Sequence, residues 1–391
     1  MSDCQSYDVV IVGASFAGLV AAKTAALRGL SVAVLEAKPD AGHRVATTGI
    51  LVKEAAEDID IPHTLTRRVH GVRLYAPNLT HTDLFAPGYF FLTTDTAALL
   101  RWLATEATRA GARILFRSRF EGAERQDGAF RFKGLNITAR YIIGADGGRS
   151  AVARHFGLGR NRAFLTGLEI EYQGLGAADP RFLHCFIDSK LAPGYLAWIA
   201  PGPNVTQVGL AVGPGRIPKL KSFLAATNWR FHYDEATTVE RRSGRIPCGG
   251  VVTPWAMPGG LLVGDAAGQV SPATAGGIRL AFRYGRRAAQ AIADHLQSLG
   301  PEPERVLSAE MPNFAIKKGL RFLLDCAPPN ALINLALGTR PMQHLARQVY
   351  FHKRGGHAFS LAEYESKLAE MAPGVTEAAD ARLDPVHLRF R

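Results

Sequence analysis

Two short apolar runs near the start of the chain carry no polar alternation. Tyr7 to Val12 (YDVVIV) and Ser31 to Leu35 (SVAVL) are rich in β-branched residues, the pattern of strands buried on both faces of a parallel sheet. Between them, Gly13 to Gly18 reads as a tight turn and Leu19 to Arg28 as an alanine-rich helix stopped by Gly29. The pattern is a strand–helix–strand unit closed by Glu36. Further along it predicts a polar helix over Lys53–Asp58 and strands over Val69–Tyr75 and Thr82–Phe85, with Pro77-Asn78 as the turn between them. A helix over Ala97–Ala110 follows, with Gly111 separating it from a strand over Arg113–Phe116. Next come a hairpin over Phe120–Phe132 with Asp127-Gly128 at its tip and a buried strand over Tyr141–Gly144.

From about Leu165 to Arg245 apolar and polar residues alternate, with frequent Gly and Pro. Gly167–Tyr172, His184–Ile187, Tyr195–Ile199 and Val205–Val212 read as strands of an antiparallel sheet. Gly260–Val263 returns to a buried strand, and Ile278–Leu296 is a long helix. From Pro301 onward the chain reads as helical and basic, through Lys317, Lys318, Arg321, Arg340, Arg347, Lys353 and Arg354. At 391 residues the chain exceeds what one hydrophobic core usually supports. The expected class is α/β (α+β overall). A Rossmann-like dinucleotide domain is drawn from 1–70, 96–160 and 246–300. An antiparallel substrate-side sheet is inserted from 71–95 and 161–245, and a helical region occupies 301–391.

Three segments carry chemistry. In Gly13-Ala-Ser15-Phe16-Ala17-Gly18 the glycines allow backbone to approach a pyrophosphate, and the helix start offers unpaired N–H groups. Ser15 stands where the fingerprint has its middle glycine. Glu36, with Ala37 after it, ends the second strand, where a carboxylate accepts from ribose hydroxyls. In Gly144-Ala-Asp146-Gly147-Gly148-Arg149-Ser150, Asp146 either bonds ribose or caps a turn, and Gly147 lets backbone approach a cofactor. The third segment begins Gly264-Asp265, passes Pro272 and ends Gly276-Gly277-Ile278. There Asp265 is suited to ribityl hydroxyls, and the free N–H groups opening the helix to the charge of a reduced flavin. Together the three have the order one flavin dinucleotide, FAD, requires.

A net charge of +12 with ordinary hydrophobic content (47%) fits a folded protein whose surface steers anions, faces anionic lipid, or is simply solvated. No basic run is interleaved with aromatics, so nucleic acid is not an expected partner. Cys4, Cys185, Cys248 and Cys326 are scattered without a CxxC, which points away from disulfides, metal sites and dithiol chemistry. The absence of a leader pattern or of a long apolar span predicts a cytoplasmic protein with peripheral membrane contact left open. Nothing in the pattern names an oligomeric state.

GASFAG, GADGGRS and GDAAGQVSPATAGGI resemble the segments of the para-hydroxybenzoate hydroxylase-type flavoproteins, over about residues 7 to 300. The last is most similar to the geranylgeranyl reductase branch. Aromatic hydroxylases commonly have histidine where Gly268 stands. Pro193-Gly-Tyr195-Leu-Ala-Trp198-Ile-Ala-Pro201 is a partial match to the YxWxFP motif of those reductases and marks Tyr195 and Trp198 as substrate-lining. No cysteine-glycine pair follows the first strand–helix–strand unit, and Arg44 matches an arginine that related hydroxylases hold against the flavin. The resemblance implies an FAD-dependent reductase of a carbon–carbon double bond in an apolar isoprenoid or lipid-like substrate. Hydride would come from flavin reduced by NAD(P)H or another external donor, which docks transiently. Two other readings stay open: a monooxygenase acting on a small aromatic or polyketide substrate, and a tRNA-modifying flavoprotein or prenyl-protein carrier.

Overall fold

A computed structural model describes residues 4–351. The predicted buried runs form the middle of one sheet. Gly260–Leu262, Ile137–Gly144, Gln5–Val12, Val32–Leu35 and Arg113–Leu115 lie side by side in that order, all parallel. Val9, Val10 and Ile11 are fully buried because helices cover one face of this sheet and the hairpin side covers the other. The hairpin forms as expected from Ala123–Gln126 and Ala129–Phe132, with Asp127 and Gly128 both at positive φ.

The first helix spans Phe16–Leu27, three residues earlier than the apolar pattern indicates, because Leu19 N–H already bonds Ser15 O. Gly18 therefore lies inside its first turn, where a Cβ would fall 1.9 Å from Gly13 O. The long helix Ile278–Leu296 crosses this helix closely, since a Cβ on Gly285 would fall 2.4 Å from Ala17 O. The expected helix over Lys53–Asp58 shortens to the single turn Lys53–Ala56.

A second, seven-stranded sheet runs in the order Thr237–Pro247, Phe164–Gln173, Thr206–Val212, Ala197–Pro201, Phe182–Phe186, Gly71–Tyr75, His81–Phe85. Its pairs are antiparallel except Phe182–Phe186 with Gly71–Tyr75. One face packs Tyr75, Ile170, Phe186 and Val208 under the helix Leu220–Phe231, whose Phe223 and Phe231 complete an aromatic cluster. That helix interrupts the stretch read as sheet throughout.

The strand expected over Val69–Tyr75 is two strands. Thr66–Val69 joins a three-stranded sheet with Ile50–Val52 and Phe91–Thr94, and Gly71–Tyr75 enters the large sheet. The chain turns this corner where His70 N–H and Gly71 N–H both bond Arg181 O. Only glycine fits at 71, because a Cβ there would lie 2.6 Å from the Phe85 ring. After the long helix come Pro303–Glu310, Ala315–Asp325, Asn330–Leu337 and Arg340–Tyr350. Lys353, Arg354 and the remainder of the region to 391 lie outside the described residues.

Candidate flavin site

The three segments singled out in the sequence converge at the carboxyl ends of three adjacent parallel strands, where open α/β sheets bind ligands. Gln5–Val12 leads into the first, Ile137–Gly144 into the second and Gly260–Leu262 into the third. Their backbones are stitched together. Ala145 N–H bonds Val12 O at 2.8 Å and Val263 N–H bonds Gly144 O at 2.9 Å. A Cβ on Gly13 would fall 2.4 Å from Ala145 O, so glycine is what lets the first and second segments touch. Asn161 completes the join: its Nδ2 donates to Gly148 O at 3.1 Å and to Asp265 O at 2.8 Å.

In the first segment, Ser15 is exposed and its side chain does not cap the helix, and no acidic residue sits in the first turn. The N–H groups of Phe16, Ala17 and Gly18 thus open the helix unpaired, which is the arrangement that receives an anion. Glu36 is buried at the strand end. Its carboxylate is aimed by Ala14 N–H at 2.8 Å and Lys38 N–H at 2.9 Å, while Ala37 beside it is exposed.

Asp146 in the second segment does much of what a capped turn needs. Its Oδ2 accepts from Ala151 and Val152 N–H at 2.6 and 3.1 Å, and Ser150 Oγ accepts from Ala153 N–H. Its Oδ1, however, is buried without a partner among the described residues. Gly147, at φ +80°, has open space around it.

In the third segment, Gly264 at φ +60° lies against Ala17, and its N–H is held by Gln269 Oε1 at 2.7 Å. Asp265 makes no side-chain hydrogen bond among the described residues. Burial alone pushes its carboxyl up to about 6. Oδ1 faces Gly277, where an added Cβ would be 3.4 Å away. Gly277 precedes the helix Ile278–Leu296, and Pro272 is buried while Gly276 is exposed. An unpaired carboxylate, a buried orphan carboxylate oxygen and two uncapped helix starts together fit a polyhydroxylated, pyrophosphate-bearing molecule such as FAD.

The sheet face turned toward these segments forms the opposite wall. Trp198 lies over Gly209, where a Cβ would sit 2.6 Å from its ring, and it packs with Leu165, Ala211 and Ala275. Its Nε1 donates to Glu169 Oε2 at 2.9 Å, and Thr48 Oγ1 donates to the same oxygen at 2.6 Å. Glu169 is therefore a clasp between the strand Phe164–Gln173 and the loop that carries Arg44. Arg242 stands 2.8 Å from Glu171 and 3.9 Å from Glu169. Burial raises the pKa of Glu169, opposed by Thr48, Trp198 and Arg242, and burial likewise raises that of Glu171.

Tyr195, expected on a strand, precedes it: the strand is Ala197–Pro201. Gly194, at φ +81°, and the Tyr195 N–H bond to Ala192 O make a turn that delivers the phenol to the flavin loop, where its OH donates to Thr274 O at 2.7 Å. Arg44 is exposed, at φ +47°, without a hydrogen bond among the described residues. Glu169, Asn161 and Arg242 were not singled out in the sequence. For Glu169 a signal existed: in Leu168-Glu169-Ile170-Glu171 the acids alternate with apolar residues on a strand, so one of the two sets is buried whichever face is covered.

A family model described as an FAD binding domain matches residues 6–243. The digeranylgeranylglycerophospholipid reductase of Methanothrix thermoacetophila is 33% identical over 309 residues, 74% of this chain and 78% of that protein. The chain belongs to the FAD-binding flavoproteins of the geranylgeranyl reductase branch. The Methanosarcina acetivorans protein of the same name is 30% identical over 75% of this chain and 76% of its own. A geranylgeranyl bacteriochlorophyll reductase-like protein from Thermoplasma acidophilum has a TM-score of 0.76 at 22% identity, over 90% of this chain and 98% of that one. A flavin-dependent brominase shares the fold at 0.65 and 17% identity, covering 94% of this chain and 99% of its own. This flavoprotein is thus an FAD-dependent oxidoreductase. No helix among its described residues is long and apolar enough to cross a membrane.

Proposed function

We propose that this flavoprotein reduces carbon–carbon double bonds in the isoprenoid chains of a lipid, working at the cytoplasmic surface of a membrane. The observation that carries the reading is Gly268. It sits at φ +68°, and a Cβ there would fall 2.2 Å from Gly250 O, so the position where aromatic hydroxylases commonly have histidine is closed to any side chain. The relatives named digeranylgeranylglycerophospholipid reductase support the substrate class, as does the apolar wall of Leu165, Trp198 and Ala211.

Bound FAD, recharged by an external donor such as NAD(P)H, supplies the two electrons. The protein's own groups have separate tasks. Phe16, Ala17 and Gly18 N–H would receive the pyrophosphate, and Glu36 would receive the adenosine ribose. Asp265 and Gly147 would hold the ribityl portion of the cofactor, and the N–H groups opening Ile278–Leu296 would stabilise the negative charge of its reduced form. Trp198 and Tyr195 line the substrate path, and Glu169 keeps Trp198 in plane. Arg44, exposed and without a hydrogen bond among the described residues, is suited to the phosphates of cofactor or substrate. Each saturation consumes two electrons and two protons and leaves no oxygen in the product.

The test is turnover with unsaturated prenyl lipids under nitrogen, read by mass spectrometry. Products heavier by two hydrogens per double bond are expected. Products heavier by one oxygen, formed only in air, would replace this reading with oxygenation.

A further inference from the structure

The helix Ala315–Asp325 has two faces of opposite character. Its inner side stands against residues that touch the flavin loop. Arg321, buried, donates to Gly194 O next to Tyr195 and to Asp325 Oδ1 at 2.9 Å. Lys318 and Phe314 cover Gly250, whose carbonyl abuts Gly268. The helix is thus one layer of residues away from Thr274 and Gly268.

Its outer side is apolar. Ile316 is 90% exposed and Leu323 63%, two turns apart on one helical face, and Phe322, 71% exposed, stands about 100° round from Leu323 on its flank. The next helix, Asn330–Leu337, continues the surface. It is pinned to the loops at the end of the large sheet through Asn330 to Asp188 and Asn334 to Asn78, and it turns Leu332 and Leu335 outward. Ile217, 80% exposed, adjoins through Arg216, which donates to Asp325 O. Large exposed apolar side chains gathered on two successive helices in this way mark an interaction site on a folded protein.

The charge around it identifies the partner. Between Met311 and Phe351 there are five Lys or Arg against a single acid, Asp325. Asp325 is neutralised by Arg321, while Lys317, Lys318 and Arg340 are exposed. An apolar stripe fringed with cations matches an anionic lipid surface, in which such a helix lies flat with its apolar side among the acyl chains. We propose that the outer faces of Ala315–Asp325 and Asn330–Leu337 seat this flavoprotein on an anionic membrane, with the first of these helices as the partition between bilayer and flavin site. This rests on the lipid reductase reading and adds to it the docking face.

The test uses the full-length holoprotein and its Phe322→Glu/Leu323→Glu variant. Two quantities are measured: flotation with vesicles of phosphatidylcholine and phosphatidylglycerol, and reduction of a short prenyl diphosphate free in solution. Wild type is expected to float, less so on phosphatidylcholine alone. The variant is expected to partition more than about a hundredfold more weakly while keeping its rate on the soluble substrate. Equal flotation of both proteins, or none for wild type, overturns the docking proposal. So does a wild-type oligomer that the variant splits, which assigns the face to a second copy. A variant that floats normally but unfolds earlier assigns the face to residues 352–391 and overturns the proposal as well. If flotation behaves as expected but neither protein reduces the soluble substrate or the vesicle lipid, docking stands and the reductase reading falls.

Discussion

Asp265→Asn probes the cofactor cradle at its most informative atom. Among the described residues the Asp265 carboxyl has no hydrogen-bond donor, and burial pushes it up to about 6 from 3.8. A folded-state pKa raised by about two units means the folded chain keeps a proton that the unfolded chain has released. The stabilising contribution is complete below about pH 4 and is lost as pH rises through about 6, a change of roughly 3 kcal/mol. Asn does not ionise. Urea unfolding of the two apoproteins from pH 4.5 to 7.5 should therefore show wild type losing ground to the variant by up to that amount. FAD should reverse the order. Hydroxyl groups donating to the carboxylate bring its pKa down, so wild-type FAD affinity should rise with pH over the same interval while the variant's stays flat. Each lost hydrogen bond to a charged acceptor is worth about 1.5–3 kcal/mol, so above pH 6 the variant should bind FAD roughly tenfold to hundredfold more weakly. Fluorescence titration of FAD into apoprotein reads this directly. Equal affinities, or parallel pH slopes for the two proteins, would refute the placement of Asp265 against the cofactor.

Glu169→Gln, which keeps an acceptor for Thr48 and Trp198, should retain the fold. It should also flatten the pH dependence of stability, because a carboxyl with raised pKa favours the folded state at low pH and loses that contribution as pH climbs above the ordinary glutamate range; chemical unfolding from pH 4 to 8 checks this. Arg242→Met leaves Glu171 and Glu169 without their shared cation and should cost about 3–5 kcal/mol, measured by denaturant midpoint. Gly18→Ala drives a methyl to 1.9 Å from Gly13 O and should yield a colourless protein, read by the ratio of flavin to protein absorbance. Trp198→Phe removes the Nε1 donor to Glu169 and should raise KM for prenyl lipid more than it lowers kcat, seen in steady-state reduction.

The parallel strands and the flavin segments were legible because their signals are local. An unbroken apolar run needs cover on both faces, and a glycine turn before a helix start exposes N–H groups wherever it occurs. What was not legible depends on distant partners. Thr237–Pro247 (TTVERRSGRIP) falls largely within the stretch read as sheet but carries too many charges to stand out as a strand of its own, yet it pairs along almost its whole length with Phe164–Gln173, and Arg242 is buried because Glu171 meets it there. The corner at His70 is set by Arg181 and Phe85, neither of which is near it in sequence. Asn161 looks like an ordinary polar loop residue until Gly148 and Asp265 are brought to its amide. Leu220, Phe223, Thr227 and Phe231 did carry a helical spacing, but they lie within a stretch dominated by alternation.

The seam among Gly13, Ala145 and Val263, closed by Gly285 against Ala17, bears on how the protein is made. The turn Gly13–Gly18 leaves the ribosome long before the helix that packs on it, and domains acquire structure in the order of synthesis. Until Ile278–Leu296 arrives, the helix Phe16–Leu27 lacks its covering neighbour, although every strand of the sheet beneath it has already been made. FAD capture should accordingly be a late event in biosynthesis. A nascent chain stalled before that helix should be blind to FAD, and cofactor supply should act on the yield of finished protein rather than on the early steps of its folding.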